Sequence, residues 1–219
     1  MKYTLISFVC CFLILQSIAQ KKQELFAKDK LIRVNFTSLI DPFETNFSVG
    51  YEKRFKDNFA YSIDMGYVFF NSFYQGRLEK TGGVILRPAI RYYSGESKRF
   101  YVEAEMHYKN VTNKVLDWIG RECVNNVSAY EEYTTFKIRK KVIGFNLKVG
   151  YQARLSNDNR FWLEPYVGLG IKYKNTFLVN EPNSCFAFNN FLSRGRQRVS
   201  SLKESVPNIP FGIRFLVKL

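Results

Sequence analysis

Eight segments of this chain alternate between apolar and polar residues, and this alternation constrains the fold more than any other feature of the sequence. In the clearest segment, Val149, Leu163 and Val167 share one phase, while Glu164 and Gly168 share the other. A period of two residues is typical of β-strands with one apolar face. The sequence therefore predicts an all-β chain, with strands over residues 31–39, 45–55, 59–70, 83–93, 99–111, 142–155, 161–177 and 209–219.

The connections between these strands are short on one side and long on the other, except that the first connection on the long side, around Ile40, is also short. Three are tight enough for hairpins, with the sequences KDN (56–58), GESK (95–98) and SNDN (156–159). Three others span roughly 12, 30 and 31 residues, well above the usual connection of about 4 to 6. Short turns opposite long loops, with an even number of strands, are typical of outer-membrane barrels. We therefore predict an eight-stranded antiparallel up-and-down transmembrane β-barrel with short periplasmic turns and long extracellular loops over residues 72–82, 112–141 and 178–208.

The polar face of the predicted strands mixes both signs of charge with small residues. An eight-stranded barrel is just wide enough for its side chains to fill it, so a large water channel is not expected. Lone charges there would be costly, which favours a paired structural network over a narrow solute path. The predicted network consists of Arg54, Arg87, Arg91, Glu103, Glu105, His107, Arg154 and Glu164.

The apolar face carries aromatic residues at both ends and aliphatic residues between them. Phe55, Phe59 and Phe100 lie near the short turns, and Tyr67 and Tyr108 lie at the opposite ends of their strands. Aromatic side chains favour the two interfaces of a membrane, so this banding favours a lipid-facing surface. The alternative is a secreted soluble lipocalin-like binding barrel, whose apolar face would line a ligand cavity.

Two prolines fall inside predicted strands. Pro88 and Pro165 both lie on the lipid-facing phase, where each removes a donor from the hydrogen-bond ladder. A closed barrel has no free edge at which to accommodate that loss. We therefore expect a local bulge or a rim position at both.

The N-terminus has the features of a secretory signal. Lys2 precedes an uncharged apolar run, LISFVCCFLIL, and the small residues Ser17 and Ala19 follow it. We predict a cleaved signal peptide at residues 1–19, a single barrel domain at 20–219 and export to the bacterial outer membrane. Residues 1–19 hold one Lys and no acid, so the mature chain has a formal charge of +13. This excess predicts contact with outer-membrane lipid and not with nucleic acid. The basic run LSRGRQRVSSLK (192–203) is either a solvated loop, which we favour, or a site for lipopolysaccharide phosphate.

Two cysteines remain after removal of the signal, Cys123 and Cys185. An even number in an exported protein favours a disulfide over two free thiols. The closed loop of about 60 residues corresponds to roughly 4 kcal/mol in the chain-entropy model.

Residues with catalytic potential are scarce. The single histidine, His107, lies on the polar face between Glu105 and Lys109, without an evident serine in its strand. The spacing of cysteines and histidine does not suit zinc, and no phosphate-binding glycine loop precedes a helix. We therefore expect no enzyme activity, no metal and no cofactor. A lipid A-modifying enzyme that uses His107 remains an alternative.

Five short motifs resemble the strands of a known group of proteins. They are VGYEKRF (49–55), RPAIRYY (87–93), RFYVE (99–103), VGYQARL (149–155) and LEPYVGLG (163–170). Together with the last strand, they resemble a family of small uncharacterised exported bacterial barrels, similar to the eight-stranded OmpA- and OmpX-like class. The resemblance implies an outer-membrane location and no established activity, and no functional residue is carried over from it. We expect a monomer with a structural or surface-interaction role.

Overall fold

The computed structural model describes residues 30–219 except 40–43, 57, 73–75, 96, 159 and 190–195. The predicted signal peptide lies outside the described residues. Within them, no helix is long and apolar enough to cross a bilayer. The elements are β1 (Lys30–Asn35), the 3-10 helix η1 (Thr37–Leu39), β2 (Asn46–Lys56), β3 (Phe59–Val68), β4 (Leu78–Ser94), β5 (Phe100–Arg121), β6 (Tyr130–Tyr151), β7 (Ala153–Arg154), β8 (Phe161–Val179), β9 (Phe186–Asn189), β10 (Arg196–Val199), β11 (Ser201–Asn208) and β12 (Phe211–Lys218).

The main sheet closes on itself as a ring of eight strand positions. Strands β1 to β6 pair in chain order, β6 pairs β8, and β12 pairs both β8 and β1. β11 and β12 share one position, because β12 pairs β8 over Phe161–Val167 and β11 pairs it over Gly170–Phe177. Every pairing is antiparallel. The prediction of an antiparallel all-β fold is therefore confirmed.

The three short connections all lie at one end of the ring, which we call the turn end. They join β2 to β3, β4 to β5, and β7 to β8. In the second of them, Gly95 has a φ of 80° and Lys98 a φ of 48°. The left-handed region costs glycine little, which explains the GESK sequence at this turn.

The opposite end, which we call the hairpin end, differs from the prediction. We expected a loop over residues 112–141, but β5 and β6 are 22 residues each and stay paired from Phe100↔Tyr151 to Arg121↔Tyr130. Only residues 122–129 form the connection, where Asn125 and Asn126 have positive φ. The apolar residues of β5 alternate on the outward face only as far as Tyr108. The loop was predicted from the point where this alternation stops. The hydrogen-bond ladder continues through it.

The expected loop over residues 178–208 also contains strands. β9 and β10 pair with each other as a separate two-stranded sheet, and β11 continues the ring beside β8. The loop expected over 72–82 is shorter as well, since β4 begins at Leu78. The sequence did not predict these strands, because none of them continues the alternation of outward apolar and inward polar residues that marks the other strands.

Neither proline causes the expected bulge. β4 and β5 pair at Leu86↔Tyr108 and again at Ala89↔Glu105, so the pairing lapses at Pro88 without a change of register. The pairing of β8 with β6 ends at Gly150↔Tyr166 and resumes with β7 at Ala153↔Leu163, so it lapses at Pro165 in the same way. On its other side each proline stays in register, opposite Ile63 and Ile213 respectively. The missing N–H donor of each proline therefore interrupts the pairing with one neighbouring strand at one place only.

Candidate functional site

The interior of the ring holds a cluster of buried charges, which we call the central charge cluster. Its five basic and five acidic side chains are all at most 4% exposed. The numbers of the two signs are equal, so the cluster is formally neutral. Each of the eight ring positions contributes at least one member. The members are Arg33, Glu52, Arg54, Asp64, Arg91, Glu103, Glu105, Lys148, Glu164 and Arg214.

Arg91, on β4, lies at the centre of this cluster. Its guanidinium donates to Glu52 at 2.7 Å, to both carboxylate oxygens of Glu164 at 2.7 and 2.8 Å, and to Glu103. The same group lies 4.2 Å from the ring centroid of Tyr101. Arg91 therefore bridges β2, β5 and β8, three strands that are distant from one another around the ring.

Arg214, on β12, closes the cluster from the last strand. It donates to Glu164 at 2.9 Å and to Glu103 at 3.2 Å, and it lies 4.2 Å from the centroid of Tyr166. Since bidentate arginine–carboxylate geometry is the strong form of ion pairing, these shared carboxylates fix the side chains in position.

Neutral polar groups complete the cluster on the side of the turn end. Gln152 donates to Glu164 at 2.9 Å and to the Tyr93 hydroxyl at 3.0 Å, while Tyr93 donates to Glu52. Arg54 lies 4.1 Å from the Tyr93 centroid and donates to Gln152 at 3.1 Å. Hydrogen bonds therefore link the neutral polar side chains at this level to the carboxylates of the cluster.

The residues named from the sequence divide into two groups. Arg54, Arg91, Glu103, Glu105 and Glu164 belong to the central charge cluster. Three lie outside it, namely Arg87, His107 and Arg154.

Arg154 is in β7 opposite Trp162, nearer the turn end. Arg87 lies opposite Asp64 on the β3 side, and its charge acts on His107 of β5.

Sequence reasoning did not include Arg33, Glu52, Asp64, Lys148 and Arg214 in the network. A signal for them was present, because Arg33 lies between the outward Ile32 and Val34, and Arg214 between Ile213 and Phe215. In a strand whose apolar side chains face out, the residues between them face in. What the sequence did not contain is the pairing itself, which joins residues as far apart as Glu103 and Arg214.

His107 is buried in a basic environment. It is 6% exposed, its Nε2 has no hydrogen-bond partner among the described residues, and the charges that act on it most strongly are those of Arg87, Lys172 and Lys109. Further towards the hairpin end, Glu44 is shared by Lys109 and by Lys140, the latter at 3.0 Å. His107 therefore lies in the basic part of the interior, between the central charge cluster and Glu44.

The hairpin end encloses an apolar cluster. Val115 and Ile119 of β5, Phe136 and Ile138 of β6, and the β9 residues Phe186 and Phe188 pack together with Leu202 of β11. Cys123 and Cys185 form a disulfide that ties β9 to the end of β5, next to the bridge between Gly120 and Cys185. The β9–β10 pair is therefore held in place both by packing and by a covalent bond.

Ion pairs on the hairpin end are more exposed than those in the central charge cluster. Arg121 donates to Glu181 and, at 2.7 Å, to Glu132, and these two hydrogen bonds raise the pKa of Arg121. Glu79 accepts from Thr135 at 2.7 Å and lies 2.6 Å from Lys114, and these contacts lower the pKa of Glu79. Exposed pairs of this kind contribute little to stability.

The outer side of β6 is apolar near the turn end, basic along its middle, and carries the exposed Tyr133 near the hairpin end. On β6, Val149, Leu147, Phe145 and Ile143 all face outward and are about half exposed, and the next outward residues are Lys141, Arg139 and Lys137. On the inward face of the same strand the order is opposite, with Lys148 and Asn146 first and then Ile138 and Phe136. The hydrophobic side of the strand thus changes from outside to inside along its length.

No protein-family model and no curated protein matches the sequence. In the described ranges, no group of three or more histidine, cysteine, aspartate or glutamate side chains could hold a metal ion. The observations that bear on function are therefore the positions of the charged and the apolar side chains around the ring.

Proposed function

We propose that this chain is a non-enzymatic outer-membrane β-barrel protein with a structural or surface-interaction role. The part of the ring nearer the turn end spans the bilayer, with its short turns in the periplasm. The hairpin end extends outside the cell. The predicted signal peptide at residues 1–19 supplies export, and the ring functions as a monomer.

The observation that carries the proposal is the change of hydrophobic side along β5 and β6. Outward Val102, Met106 and Tyr108 of β5 are 39–60% exposed, whereas inward Val111, Val115 and Ile119 are fully buried. A strand buries its apolar side chains away from water. An outward apolar side followed by an inward one indicates two solvents along one strand, lipid first and water afterwards.

The length of the apolar section agrees with a bilayer. On β5 it runs from Phe100 to Tyr108, nine residues, and a transmembrane strand needs about 9 to 11. At about 3.4 Å per residue this is roughly 27 Å along the strand, or about 20 Å along the ring axis at a tilt near 40°. The outward rings of Phe55, Phe59, Tyr92, Phe100 and Phe161 form an aromatic belt at the turn end of this section.

The interior argues against a lipocalin-like carrier. Such a protein lines its cavity with apolar side chains and exposes polar ones. Here the interior behind the apolar surface contains the central charge cluster, whose side chains contact one another and occupy that level of the ring. The apolar cluster at the hairpin end is filled by the β9 phenylalanines.

A matched pair of substitutions on β6 tests membrane insertion. Leu147 and Tyr133 face outward on the same strand and are 52% and 53% exposed. Leu147 is the middle residue of the apolar section, while Tyr133 lies well beyond it. Leu147→Lys should lower folding stability in lipid vesicles by about 2–4 kcal/mol, the usual effect of a cation at the bilayer midplane. Tyr133→Lys should remain near wild type.

The readout is the fraction of chain that migrates in the compact, heat-modifiable form after folding into vesicles. Equal behaviour of the two variants would indicate that both positions face water, and would overturn the proposal. Recovery of the wild-type chain from the soluble fraction of cells without detergent would overturn it independently.

A further inference from the structure

The outer wall just beyond the apolar section carries a group of cations. Lys137, Arg139 and Lys141 follow one another on the outward face of β6, and Lys141 is two residues from Ile143. Lys203 of β11 belongs to the same level, because Lys141 and Lys203 are both paired with Asn175 of β8. We call these four residues the basic patch.

The basic patch lacks counter-charges of its own. Among the described residues, no carboxylate lies within ion-pair distance of Lys137, Arg139, Lys141 or Lys203. Glu79 of β4, two strands from β6, is paired with Lys114 at 2.6 Å. Arg139 donates to Thr112 at 3.4 Å, and Lys141 lies 5.8 Å from the Phe177 ring centroid, so both side chains lie along the wall.

The spacing of the basic patch suits more than one phosphate group. Lys137 and Lys141 are four residues apart, about 14 Å along the strand, and Lys203 is two strand spacings from Lys141, about 10 Å. A single phosphate could not reach all four cations. The outward Asn175 lies between Lys141 and Lys203, and Asn110 and Thr112 of β5 lie opposite Lys141 and Arg139 on the other side of β6.

We propose that the basic patch binds the headgroup of a multiply phosphorylated lipid of the outer leaflet, with the acyl chains lying on the apolar wall below. The inference rests on the proposed function, because it requires Ile143 and Tyr173 to face lipid. The patch then begins at the depth where lipid phosphates lie. Charge attraction binds the headgroup, and the apolar wall directly beneath the patch binds the chains of the same molecule.

The test compares the chain with two triple variants in detergent micelles. The first, Lys137→Gln, Arg139→Gln and Lys141→Gln, removes three charges from the patch. The control, Lys30→Gln, Lys53→Gln and Arg160→Gln, removes three exposed charges at the turn end. The probe is diphosphoryl lipid A, and its binding is measured by native mass spectrometry and by titration.

The patch variant should bind the probe about 100-fold more weakly, from the usual contribution of a basic side chain near an anionic surface. The control variant should bind as the wild type does. Dephosphorylated lipid A should bind the wild type weakly, and phosphatidylglycerol, with one phosphate, should bind it with intermediate affinity.

Equal losses in the patch and control variants would reduce the effect to general charge attraction and overturn the inference. Equal binding of phosphorylated and dephosphorylated lipid would do the same. Both outcomes are separable from failure of the proposed function, because they are measured on chain that has already folded into micelles and vesicles. If the wild type does not insert, the proposed function itself fails.

Discussion

Replacing Glu164 with Gln gives the most direct test of the central charge cluster. Glu164 accepts two hydrogen bonds from Arg91, at 2.7 and 2.8 Å, and one from Arg214 at 2.9 Å. Its side chain is fully buried, as are those of both arginines. The substitution keeps the size of the residue but leaves the formally neutral cluster with an excess charge of +1. It also turns one acceptor oxygen into an amide that faces guanidinium groups.

The expected loss follows from these contacts. Removing one partner of a buried ion pair costs about 3–5 kcal/mol, because the remaining charge stays buried without compensation. With a urea slope of about 2–3 kcal/mol per M, the unfolding midpoint should fall by about 1–2 M. The assay is equilibrium unfolding of the chain in lipid vesicles, followed by the fluorescence of Trp162 and Trp118.

The matched control is Glu131→Gln. Glu131 is paired with Arg198 on the hairpin end, and both side chains are 40% or more exposed. The same chemical change there should alter the unfolding free energy by less than about 1 kcal/mol. If Glu164→Gln and Glu131→Gln shift the midpoint equally, the cluster does not stabilise the ring, and its assignment as a structural network is wrong. A double-mutant cycle with Arg214→Gln should show a coupling energy of about 0.5–3 kcal/mol for the inner pair.

Two further predictions concern the hairpin end and the packing of the cluster. The double substitution Cys123→Ser and Cys185→Ser should lower the free energy of unfolding by up to about 4 kcal/mol, because the cysteines are separated by 62 residues. It should also increase proteolysis at β9 and β10 before the ring unfolds. Cleavage that occurs first within the ring would contradict this order. Gly50→Ala should destabilise the chain by about 1–3 kcal/mol, because the added methyl group would overlap the Asp64 carboxylate that pairs with Arg33. Gly82→Ala should be better tolerated, because the methyl group there meets only the Tyr67 side chain, with the hydroxyl at 3.1 Å. Unfolding curves that rank these two glycine variants in the reverse order would refute the packing argument.

The order of the ring strands could be predicted because it depends on local signals. Alternation marks each strand, and Gly95 and its polar neighbours mark a turn whose backbone requires them. Antiparallel neighbours joined by short turns must then be adjacent in the sheet. β11 was missed because its outward residues Lys203 and Ser205 are polar, so the apolar criterion that identified the other strands did not apply to it.

The membership of the central charge cluster could be predicted only in part. The phase of each strand indicates which charges face inward, and this was sufficient for Arg91, Glu103 and Glu164. It does not indicate how far each side chain reaches or at which level it lies. Arg87 has the same phase as Arg91 but lies nearer the basic surroundings of His107, outside the cluster. The register between strands decides the level at which each inward side chain lies. That register depends on all eight pairings together.

The change of hydrophobic side along β5 and β6 explains both the main error from the sequence and the main argument for function. Such a change is expected of a strand that passes from lipid into water, which is the arrangement that the proposed function requires. Here the outward side chains change from Ile143 to Lys141 within two residues, and the inward ones change from Lys148 and Asn146 to Ile138 and Phe136 farther along the same strand. The position where the predicted strand ended is therefore the position where its surroundings change. The proposed membrane boundary accounts for both observations, because the apolar pattern breaks there while the pairing of β5 with β6 continues through it.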